Sequence, residues 1–99
     1  MVWQRTAVAK TETSRYVDIE LSVAEHRALL KFKYVDPMQL AQIEAATPFG
    51  DGQYVRVRME KYLADMLVGD LSYVINRSKL TRPILLLNNV AEAIEQALR

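Results

Sequence analysis

The chain has 99 residues, enough for one hydrophobic core and too few for two, since single domains usually span ~50–200 residues. Its apolar share of 51% is that of a folding chain, and 13 basic against 12 acidic side chains leave a net charge of +1, so no overall field draws it onto nucleic acid or an anionic membrane. The absence of cysteine excludes disulfides, thiolate nucleophiles and sulfur-ligated metal sites.

Residues 1–13 are small and polar around Val2, Trp3 and Val8, and read as a flexible or loosely docked arm ahead of a single domain at 14–99. They lack the apolar core of a signal peptide. The longest apolar run, Ile84 to Leu87, is far below the ~20 residues that span a bilayer. These features predict a cytoplasmic protein with no membrane partner.

From Val17 to Leu21 apolar residues alternate with Asp18 and Glu20, the period of a half-buried strand. Ser22 stands three residues before Glu25, the spacing of a capping box, so a helix is expected from Val23 to about Phe32. Leu30 to Val35 also alternates and competes as a strand. Asp36-Pro37-Met38-Gln39 is a second helix start, with aspartate as cap, proline at the first helical position and glutamine completing the box. The helix it opens runs to about Ala46, and Thr47 to Gly52 reads as a loop.

Tyr54 to Met59 alternates again, with Val55, Val57 and Met59 on one face and Tyr54, Arg56 and Arg58 on the other. A helix is expected from Glu60, carrying Tyr62, Leu63, Met66 and Leu67 inward and stopping at Gly69. Leu71, Tyr73 and Ile75 alternate, which favours a strand over 70–77, although Leu71, Val74 and Ile75 also fit a helix. Pro83 is read as opening a last strand through Leu87, with Asn89 capping a final helix whose stripe is Val90, Ala93, Ile94, Ala97 and Leu98.

These elements predict an α+β fold: one small domain with a mixed or antiparallel sheet of three to four strands and about four helices, packed mainly on one face. Its chemistry is thin. The sole histidine, His26, with Asp18 and Glu20, is the one candidate trio for an enzyme or metal site, and it matches no ligand spacing. A solvated histidine on a helix's polar face is the plainer account. Gly50-Asp51-Gly52 lacks the lysine of a phosphate loop. No catalytic residue, cofactor or metal is assigned.

Arg56, Arg58 and Arg77 carry a nucleic-acid reading, in which arginines beside tyrosines meet phosphates and stacked bases. If the two long strands are neighbours, Asp18 and Glu20 instead pair with those strand arginines and neutralise the surface. Trp3, Tyr34, Phe49 and Tyr73 fall outside the clean stripes and mark candidate contacts with another protein. The favoured reading is therefore a non-catalytic, self-associating interaction module, a homodimer with an unidentified protein partner. A nucleic-acid accessory protein comes second and a small enzyme or metal-binding protein third.

Overall fold

Alternation of apolar and charged side chains lays down two long strands and sets how they pair. In the computed structural model, which describes residues 15–99, β1 (Tyr16–Ser22) and β3 (Tyr54–Glu60) run antiparallel with Ile19 opposite Val57. The inward residues Val17, Ile19, Leu21, Val57 and Met59 are buried. The outward set places Asp18 across from Arg58 and Glu20 across from Arg56, the expected register. Of the two expected charge pairs, Arg56–Glu20 closes as an ion pair, while Arg58 lies over Tyr16. The expected arm and Trp3 lie outside the described residues.

The segment read as a loop contains a third strand. β2 (Thr47–Phe49) pairs antiparallel with the first half of β3, giving the sheet order β1-β3-β2. Pro48 is tolerated because β2 is an edge strand, where a missing N–H costs no ladder bond. The turn between β2 and β3 holds Gly50, Asp51 and Gly52 at positive φ, with the Gly52 N–H donating to the Phe49 carbonyl at 3.2 Å. Because β1 is the opposite edge, its outward backbone has no strand partner among the described residues.

Both predicted capping boxes form. Helix α1 (Val23–Leu30) is capped by Ser22 with Glu25 returning the bond, and α2 (Pro37–Glu44) by Asp36 with Gln39. The cap therefore wins over the competing strand at Leu30 to Val35. Gln39 also reaches across to the next layer. Its Nε2 donates to the Leu63 carbonyl at 3.0 Å, so the one buried polar residue among those described is satisfied.

Two segments read as strands are helical instead. Helix α3 (Lys61–Arg77) runs straight through Gly69, and the strand expected over 70–77 is its second half. Glycine costs a helix about 1 kcal/mol. Continuing the helix keeps Leu63, Ala64, Leu67 and Leu71 buried on one stripe with Ile75 packed against the core, a larger gain. Helix α4 (Arg82–Leu98) begins with Thr81 as cap and Pro83 in its first turn, so the run Ile84 to Leu87 is helix and Asn89 caps nothing. A proline suits a helix's first turn for the reason it suits a strand's start, namely that its missing N–H has no partner to lose. Leu87, Val90, Ala91 and Ile94 then form a single buried stripe.

Among the described residues the result is a three-stranded antiparallel sheet with four helices on its apolar face. α4 packs on β1, α1 and α3, while α2 packs on β3. Leu29, Ile43, Leu67, Leu71, Val90 and Ile94 fill the interior with the strand residues above.

Candidate functional site: a basic, aromatic-lined groove where three helices meet

Short connections bring helix ends together. α3 and α4 are joined by only residues 78–81, so the end of α3 lies beside the start of α4. The end of α1 and the chain just after it close the third side. Between them lies an open groove of about 480 Å³, the size of a small-ligand site. Its walls are Ala28 in the last turn of α1 and Phe32 just beyond it, Tyr73 and Val74 on α3, and Pro83 and Leu87 on α4. Tyr34 stands edge-on to Phe32, with ring centroids 5.7 Å apart.

Charge at this groove has one sign. Lys31, Lys33 and Arg77 line it, and Arg77 lies over the Tyr73 ring at 3.8 Å. A smaller groove of about 300 Å³ shares Ala28, Lys31 and Pro83 and adds Arg27 and Arg82. Five cations thus line the two grooves that share Pro83, and among the described residues no carboxylate lines either one. Part of this clustering is local: Arg27 and Arg77 sit in the last turns of α1 and α3, where a cation offsets the negative end of the helix.

The outward sheet face looks different. Arg56 donates to Glu20 at 2.8 Å, the one ion pair among the described residues, and lies over the Phe49 ring at 4.7 Å. Arg58 lies over Tyr16 at 5.2 Å, and Phe49 stacks on Tyr54 with centroids 5.5 Å apart. The strand arginines are engaged within the sheet. The candidate residues therefore fall into two groups, Arg56, Arg58 and Phe49 on the sheet and Arg77, Tyr34 and Tyr73 at the groove.

His26 is not a solvated histidine. It is half-buried, and its Nε2 lies 2.9 Å from the Ile43 carbonyl, tying α1 to α2 as a donor. Glu25 is held in its capping box, and Asp18 and Glu20 point outward from β1. Among the described residues no three of His, Asp and Glu gather as an ion would require. Nor is any described helix long and apolar enough to cross a membrane.

Sequence reasoning missed the outer side of α3. Tyr62 and Met66 were expected inside, yet they are 53% and 51% exposed, in line with Gly69 and with Tyr73 at 56%. Extending the helix to Arg77 turns its buried stripe toward Leu67, Leu71 and Ile75 and leaves those four positions outward. Lys31 and Lys33 were also missed, although their place on either side of Phe32 was visible. Comparison with protein-family models, with curated proteins and with solved structures finds no match for the chain.

Proposed function

We propose that this chain is a non-catalytic, cytoplasmic interaction module that self-associates through the outer stripe of α3. The observation supporting this reading is the row Tyr62, Met66, Gly69 and Tyr73, spaced i, i+4, i+7, i+11 along one side of a 17-residue helix about 25 Å long. Nothing lies within 4 Å of where a Gly69 Cβ would stand, so a second helix can approach the backbone there. An antiparallel crossing near Gly69 is self-complementary: Met66 of each copy meets Tyr73 of the other, a sulfur–aromatic contact, and Tyr62 reaches the last helical turn of the opposite copy. The near-zero net charge opposes such pairing little.

Sedimentation equilibrium from low to high micromolar concentration tests the proposal. A dimer mass is expected for the native chain and a monomer mass for Met66→Lys. A native chain that stays monomeric at the highest concentration overturns it. For the nucleic-acid reading, Arg56 and Arg58 are engaged within the sheet and line a groove that Asp18 also lines, whereas Arg77 lines one with no described carboxylate.

A further inference from the structure

We infer that the groove beside Pro83 is a binding site for a small amphipathic anion, with an apolar body seated between the helices and a phosphate or carboxylate held by Lys31, Lys33 and Arg77. This goes beyond self-association and does not require it, although Tyr73 and the last turn of α3 serve both, so binding is read in the monomeric variant as well as in the native chain.

Two independent features lead there. The first is shape and lining: about 480 Å³ of space walled by Phe32, Tyr34, Tyr73, Val74 and Leu87 accommodates a ring system or a short alkyl chain. The second is the imbalance of charge. In a chain whose acids and bases nearly cancel, this groove and its neighbour gather Arg27, Lys31, Lys33, Arg77 and Arg82 with no described Asp or Glu in either lining. Offsetting two helix ends explains Arg27 and Arg77 but not Lys33, beyond the end of α1, or Arg82, at the start of α4. None of the five forms an ion pair with a described residue.

Arg77 is held ready for such a ligand. Stacking on Tyr73 at 3.8 Å fixes the plane of its guanidinium, which lowers the conformational entropy lost when it meets an oxyanion in a fork of two hydrogen bonds. Lys31 and Lys33, one residue either side of Phe32, supply further positive charge near the same space. An anion without an apolar body leaves the aromatic walls wet, and a neutral body leaves the cations unmatched. Both parts are needed for affinity.

The test is a titration of the labelled protein followed by amide chemical shifts, in the native chain and in Met66→Lys so that loss of the dimer is scored separately. The probes are 1-naphthyl phosphate for an aromatic body, dodecanoate for an aliphatic one, 1-naphthol as the neutral body and inorganic phosphate as the bare anion. At least one amphipathic anion is expected to saturate a single site, shifting Ala28, Tyr73, Val74 and Leu87, with 1-naphthol and phosphate each about tenfold weaker or worse. Arg77→Gln and Lys31→Gln should each weaken it by about tenfold, and Arg58→Gln, on the sheet, should not. Which of the two anions binds more tightly identifies the body. The inference fails if neither saturates, if 1-naphthol binds as tightly, or if Arg77→Gln and Lys31→Gln leave the affinity unchanged. Shifts at these residues with a single-stranded oligonucleotide but with neither small anion would likewise overturn it, in favour of a nucleic-acid groove.

Discussion

Gln42 and Glu60 are bonded in both directions. The Glu60 amide donates to Gln42 Oε1 at 3.2 Å, and Gln42 Nε2 donates to the Glu60 carboxylate at 3.3 Å. β2 stops at Phe49, opposite Tyr54, and begins at Thr47, opposite Arg56, so the far end of β3 has no neighbouring strand on that side. The side-chain amide of α2 takes the missing strand's place and seats the helix against the sheet edge. Gln42→Ala should lower stability by about 1 kcal/mol, and hydrogen exchange at the Glu60 amide should quicken more than at Val57. Equal protection at both amides in the variant would show that the edge is held by something else.

Gly69 separates the needs of the fold from those of assembly. Its backbone is helical and its Cβ position is open, so Gly69→Ala should stabilise the monomer by about 0.5–1 kcal/mol in urea unfolding. Gly69→Gln should keep much of that gain while weakening the dimer, because its side chain fills the crossing point. A larger residue that leaves the sedimentation profile unchanged would move the interface elsewhere.

The final helix offers a direct check on its own register. Ile94 is fully buried, and Ile94→Ala should cost about 2–5 kcal/mol. Leu85, 49% exposed in the run expected as a strand, should cost under about 0.5 kcal/mol when replaced by alanine. A strand alternation through Leu85 and Leu87 would make these two positions behave alike, sharing one face. Their urea midpoints therefore distinguish helix from strand.

The pair Arg56–Glu20 should contribute little to stability despite its 2.8 Å separation, because both side chains are about half exposed. Glu20→Gln is expected to change stability by under about 1 kcal/mol, and by less still at high salt. Its larger effect should be on surface charge: with the carboxylate gone, Arg56 and Arg58 face solvent with less compensation, and weak oligonucleotide binding at low salt should appear or strengthen. Unaltered retention on heparin would show that Glu20 does not mask them.

How much of this was legible in the sequence follows from which signals were local. The two capping boxes, the alternation around Ile19 and Val57 and the cross-strand pairing of Glu20 with Arg56 all rest on residues within a few positions of one another or on matched patterns, and all are present. The errors at Gly69 and Pro83 share a cause. Each residue is punctuation with two meanings, and the choice between them is made by how many leucines a continuous helix buries against elements far away in sequence. β2 was hidden because three residues are too few to show a period. The groove is assembled from the ends of three helices, so of its charged residues only Arg77 was singled out, and that for a different surface.

The outer margin of β1, which has no strand partner among the described residues, bears on how copies of this chain can meet. Were two molecules to add edge to edge about Ile19, Asp18 of one would stand opposite Glu20 of the other, twice over, with no cation between them. Arg56, 2.8 Å from Glu20 on the neighbouring strand, offsets part of that repulsion, and the remainder disfavours edge-to-edge addition at this register.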